Sequence, residues 1–173
     1  MPATSGIWKQ GTPIVECCES KMALIREYMT DLIGKSLVKY ETAELLHLDG
    51  NWTAWNDLPI RLFTESAEPL SVVWSKFDEL WIDRGSSLPF STEGATVRWI
   101  ENSTPSINRV IGKKVVSVML GKGEMSVESK PIEIWTRLVL AFDDGWFEIF
   151  NALDENGYEY HVSQPIGEFV KCV

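Results

Sequence analysis

The sequence predicts an α+β domain, with one amphipathic N-terminal helix packed on an antiparallel β-sheet of many strands. Three observations carry this reading. Tyr28, Met29, Leu32 and Ile33 recur at helical spacing, whereas most of the chain breaks into short runs rich in β-branched and aromatic residues. Asp49-Gly50, Asp144-Gly145 and Asn156-Gly157, pairs that readily take the positive φ angles of a tight hairpin, separate several of those runs. Two short blocks also recur in the same order, which predicts an internal duplication with pseudo-twofold symmetry.

In chain order, the helix is expected over 13–33 and ends at Gly34, where a left-handed residue commonly stops a helix. A Lys-led strand over 36–40 follows, then a hairpin that turns at Asp49-Gly50. Leu70–Trp74 and Phe77–Ile82 read as strands, or as a strand and a short helix. The longest loop is "DRGSSLPFSTEG", whose Ser, Gly and Pro content predicts mobility, and "TVRWIE" returns to strand. In "STPSINRVIG" a Ser/Thr cap, Pro105 in the first turn and Gly112 predict a second, shorter helix. A strand over 114–120 comes next, and strands 146–151 and 158–162 flank Asn156-Gly157 as a tight turn.

The recurrence has two parts. "IGKSLV" at 33–38 answers "IGKKVV" at 111–116, and "DGNWTAWNDL" at 49–58 aligns without gaps to "DGWFEIFNAL" at 144–153. In the second pairing Asp49, Gly50, Asn56 and Leu58 match Asp144, Gly145, Asn151 and Leu153. Repeat units of 28–62 and 106–161 follow, inside a single domain that spans all 173 residues. Conformation explains the recurring Asp-Gly pairs, because the turn itself needs them. With 45% hydrophobic residues, such a domain buries a core without help from disulfide or metal.

A formal charge of −9 and a pI near 4.7 give the wrong sign for gripping a phosphate backbone or an anionic membrane. An acidic surface suits solubility, or attraction to a basic partner. No apolar run reaches the roughly 20 residues of a membrane helix, and the N-terminus lacks the pattern of a secretory signal. Three cysteines, Cys17, Cys18 and Cys172, make no disulfide framework, so a cytoplasmic protein with reduced thiols is expected.

No nucleophile elbow, phosphate loop, dinucleotide fingerprint, zincin helix or EF-hand is present, and no cofactor or metal is called for. "GKGEMS" is a hairpin loop without the glycine spacing of a phosphate loop. In "LDENG" the alternation of a calcium loop breaks at once. His47 and His161 read as half-buried strand residues. The carboxylates of the 143–155 region are the one acid–base alternative, and neighbours at a turn tip are more often simply solvated.

Eight tryptophans exceed what a core of this size requires. Trp52 and Trp146, beside turns, are the candidates for a partly exposed surface, because aromatic groups dominate binding hot spots.

Residues 107–161, "VIGKKVVSVML … IWTRLVLAFDDGWFEIFNALDENGYEYH", resemble small acidic bacterial domains and are loosely similar to immunity proteins of bacterial toxin systems. The resemblance implies a protein-binding role and brings no catalytic residues with it. The expected function is non-enzymatic binding of a protein with a basic surface, as in an immunity-type inhibitor. Asp49, Asp143, Asp144, Asp154 and Glu155 would steer encounter, and Trp52 or Trp146 would anchor. The alternatives are a small hydrolase or ligand-binding enzyme using the same carboxylates, and a structural homo-oligomer, such as a homodimer, closed through edge strands.

Overall fold

The computed structural model describes residues 17–66, 68–76 and 78–173, so the start of the expected helix at 13–16 lies outside them. Helix α1 spans Cys18–Met29 and tightens into a 3-10 turn at Thr30–Leu32. Leu24, Ile25 and Met29 fall on one face and are buried. Lys21 is buried with them. Its ammonium donates to the Trp135 carbonyl at 2.8 Å and to Asp78 at 3.2 Å, and burial lowers its pKa. One charge therefore joins the helix to both sheets.

The strands form two larger antiparallel sheets where the sequence suggests one. The first contains β1 (Lys39–Leu46), β2 (Trp52–Ala54), β3 (Ile60–Phe63), β4 (Leu70–Ser75), β5 (Glu79–Arg84) and β6 (Val97–Glu101). β1, β3, β4 and β5 run as a meander, β6 returns to the far side of β1, and β2 continues along β1 beyond β3. A short helix α2 (Pro105–Asn108) leads to the second sheet. There β7 (Ser117–Gly123), β10 (Ile134–Phe142), β11 (Gly145–Asn151) and β12 (Asn156–His161) form the meander, and β13 (Phe169–Lys171) returns to β7. A small hairpin, β8 (Ser126–Val127) and β9 (Lys130–Pro131), projects between β7 and β10. With β2 left aside, strand order is the same in both sheets.

The inner faces share one core. Ile60, Val72, Trp74 and Ile82 from the first sheet meet Leu120, Leu138, Phe147 and Ile149 from the second, with Ile107 and Val110 closing one side. Trp74 donates its indole N–H to the Ile149 carbonyl at 2.8 Å, which satisfies the polar edge of a fully buried ring. Among the described residues no helix is long and apolar enough to cross a membrane.

The two Ile-Gly-Lys segments lie against each other. Gly34 N–H donates to the Val115 carbonyl and Gly112 N–H to that of Leu37, at 2.8 and 2.7 Å. Leu37 N–H donates to Lys113, and Val115 N–H to Lys35. With 33–38 matched to 111–116, each bond has a counterpart running the other way. Both glycines hold positive φ, +79° and +81°, where a Cβ is disfavoured.

The second matched block does not share this correspondence. Asp49-Gly50 lies between β1 and β2, whereas Asp144-Gly145 joins β10 to β11, the second and third strands of a meander. Their glycines also differ in kind. Gly50 has φ +83° with open space around it, so backbone conformation selects it. Gly145 is outside the positive-φ region, and a Cβ there would strike the Tyr160 hydroxyl, so close approach selects it.

Two further expectations change. Asn156-Gly157 is strand rather than turn. The hairpin tip is 152–155, where Leu153 and Asp154 take φ +59° and +70°. Asn156 is buried, accepts from Trp74 N–H and donates to the Val72 carbonyl, so its amide stands in for a strand neighbour beside β4. The loop after β5 is anchored. Its Phe90 is buried in a second small core with Ala43 and Leu58, against Trp55 and Trp99.

Candidate functional site

The outer face of the second sheet carries a polar cluster that its apolar strands would not suggest. In β11 the inward positions are Phe147 and Ile149, which leaves Glu148 facing outward between Trp146 and Phe150. In β10 the register slips between Trp135 and Arg137. This bulge lets Trp135 and Leu138 both reach the core while Thr136 and Arg137 line the outer face. Glu159 lies directly across from Glu148 on β12, and His161 follows two residues later on the same face.

Glu148 is 3% exposed although it lies on an outer face. Arg137 grips it bidentately, Nε to Oε1 at 2.5 Å and the terminal nitrogen to Oε2 at 3.1 Å. The His161 Nε2–H donates to the same Oε2 at 2.7 Å, and Glu159 stands 3.9 Å from that nitrogen. The other Arg137 amino group donates to the Ile166 carbonyl at 2.9 Å, and its guanidinium lies 4.7 Å from the Phe169 ring centre. The Glu148 carboxylate is thus fully satisfied, which is what permits its burial.

Beside this cluster opens a cleft of about 370 Å³. Arg137, Glu148 and Thr136 form its polar floor, Ile134, Met125 and Phe150 its apolar walls, and Glu124 with Asp154 its acidic rim. Leu153 overhangs it from the β11–β12 hairpin, 97% exposed. A β-turn tip normally carries Asn, Asp or Gly at positive φ, so a leucine there is both strained and solvated.

The seven residues expected from sequence fall at three separate turns. Asp49 caps its own turn, accepting from the Asn51 backbone N–H, which holds its pKa down. Trp52, on β2, is half-buried beneath the Arg98 guanidinium at 4.2 Å. Asp143 and Asp144 precede β11, and Lys113 pairs with Asp144 at 2.9 Å and lowers its pKa. Trp146 lies on the outer face, opposite Ala141 and His161. Asp154 and Glu155 lie past the other end of β11. Burial first, and Asp57 second, raise the Glu155 pKa. Seven residues of strand put roughly 20 Å between the two acidic tips. Only Asp154 lines the cleft.

Arg137, Glu148 and His161 escape a motif search because they are dispersed over three strands. One signal for them is present in the sequence. "WTRLVL" and "WFEIF" each hold a single charge inside an apolar strand, and such charges are rarely buried unless paired.

Among the described residues, Glu148, Glu159 and His161 are the group of three that brings metal-ligating atoms together, all within 4.8 Å of one another. Compared with protein-family models, curated proteins and solved structures, the chain matches none.

Proposed function

We propose that the chain is a non-enzymatic binding module for a protein of basic surface, in the manner of an immunity-type inhibitor. The observation that carries the reading is Leu153, a fully solvated leucine held at strained φ over an apolar cleft with an acidic rim. Strain of that kind persists where function uses it. An aliphatic group of the partner fits between Leu153, Ile134 and Phe150, and a neighbouring Lys or Arg meets Asp154 and Glu124. The anchor shifts from Trp52 and Trp146, both half-buried, to Leu153. The acidic tips at opposite ends of β11 do not converge on a reacting atom, so the hydrolase alternative gains no support.

The two halves are read as diverged copies. The reciprocal bonds between 33–38 and 111–116 and the shared strand order support this. The match of 49–58 to 144–153 is then a coincidence of short motifs, since Gly50 and Gly145 serve different needs. A cytoplasmic location accords with three unpaired cysteines.

Selection from a random peptide library against the whole protein tests the reading. Enriched peptides should pair an aliphatic or aromatic residue with Lys or Arg, and Leu153→Asp should lose them. Lys at both Asp154 and Glu155 should slow association, most strongly at low salt, because the Debye length is only about 8 Å at 0.15 M. Enrichment of acidic peptides, or binding indifferent to Leu153, would overturn the proposal.

A further inference from the structure

We propose that Glu148, Glu159 and His161 form a three-ligand site for a divalent first-row transition ion, zinc foremost. The inference is independent of the protein-binding reading. Its basis is the way three donor atoms converge on adjacent, registered strands.

Glu148 and Glu159 face each other across the β11–β12 ladder, and His161 lies diagonally beside Glu148. The His161 Nε2 stands 2.7 Å from Glu148 Oε2 and 3.9 Å from Glu159 Oε2. Zinc bonds to nitrogen and carboxylate oxygen at about 2.0–2.2 Å, which separates tetrahedral ligand atoms by roughly 3.3 Å. One of the two gaps therefore widens slightly and the other closes. Glu159, 60% exposed, closes the longer gap by a change of rotamer, and a small shift of the partly exposed His161 ring opens the shorter one, whereas Glu148 is fixed.

The ion would replace the proton now shared between His161 and Glu148. The displaced Nε2 proton moves to Nδ1 of a neutral ring, or leaves to water from a charged one, and Nε2 then offers its lone pair to the ion. Arg137 keeps its bond to Glu148 Oε1, shares Oε2 with the ion through its terminal nitrogen, and becomes an outer-shell partner that orients the carboxylate. Two carboxylates against one guanidinium leave the pocket net negative, so a dication is favoured although Arg137 weakens its hold. One nitrogen and two oxygens suit zinc or its neighbours better than magnesium or calcium, which prefer all-oxygen shells. Three protein ligands leave a coordination position open to water or to a partner's side chain.

The competing account makes the cluster only an ion-pair network in which His161 bridges two acids. Titration of the metal-stripped full chain separates the two. Zinc should bind at one equivalent by calorimetry, and cobalt(II) should give a visible d–d spectrum without a thiolate band. His161→Gln and Glu159→Gln alter partly exposed side chains, so their melting should remain close to that of the parent. Each should weaken zinc binding by roughly tenfold or more. Absence of saturable binding, binding unchanged by His161→Gln, or a cobalt–thiolate band that vanishes in Cys17→Ser/Cys18→Ser would each overturn the proposal.

Discussion

Leu153 stands 97% exposed at φ +59°, and both properties oppose its chemistry. An L-residue in the left-handed region costs roughly 1–2 kcal/mol, and solvation of the side chain returns none of it. Asn at this position tolerates the conformation. Leu153→Asn should therefore raise stability, by about 0.5–1 kcal/mol, while weakening partner binding. Chemical denaturation beside an affinity measurement reads both. Loss of stability would mean that the leucine packs against something and is not held in waiting.

The Arg137–Glu148 pair invites a second test. Removing one partner leaves a charge in a largely desolvated place, so Glu148→Leu alone should cost about 3 kcal/mol. The double variant Arg137→Met/Glu148→Leu should recover most of that loss, since matched apolar groups often replace a buried pair without penalty. If both variants melt alike, the carboxylate was contributing nothing through Arg137.

Among the elements, β13 shows how an edge is tied down. It is three residues long and pairs with β7, and beyond it Cys172 N–H donates to the Val118 carbonyl and Val118 N–H to Val173, while the Cys172 thiol sits in the core. Burial pushes that thiol up to about 11 from an ordinary 9.0. A group whose pKa rises on folding contributes stability that is complete below the unfolded value and lost as pH climbs through the folded one. Cys172 should therefore weaken the fold between pH 9 and 11. Lys21, with its lowered pKa, works in the opposite sense, so a difference measurement is needed. Denaturant titrations of Cys172→Ala should show a shallower alkaline decline than those of the parent.

Element types were largely legible in the sequence because period and turn chemistry are local. α1, the strands of "TVRWIE" and "WFEIF", and the glycine stops at Gly34 and Gly112 are all in place. What escaped was set by distant contacts. Asn156 reads as a turn residue until β4 offers it a carbonyl and an N–H. Gly145 reads as a conformational glycine until Tyr160 crosses above it. The loop rich in Ser and Gly reads as mobile until Phe90 finds Leu58 and Trp55. The candidate cluster failed to show for the same reason. Arg137, Glu148 and His161 come from three strands, and only the pleat and a bulge aim them at one another.

At the scale of the whole molecule, nearly all strand pairing is internal to one half or the other. The reciprocal junction of 33–38 with 111–116 is one backbone seam between them, Asn156 N–H donates to the Asn56 carbonyl at another point, and the shared core lies behind. The connection near Asn102–Ser103 is held to β1 by bonds from Asn102 and Thr104 to Tyr40 and between Ser103 and Thr42, and none of these depends on the peptide link itself. A chain severed there would keep each sheet's ladders intact while exposing one large apolar face on each piece. Two polypeptides, 1–102 and 103–173, should therefore fail alone yet reassemble when expressed together. Their recovery as one folded complex, with the melting cooperativity of the parent, would be the measurement. A domain built this way lends itself to use as a split reporter, in which a bait and a prey bring the two pieces within reach of each other.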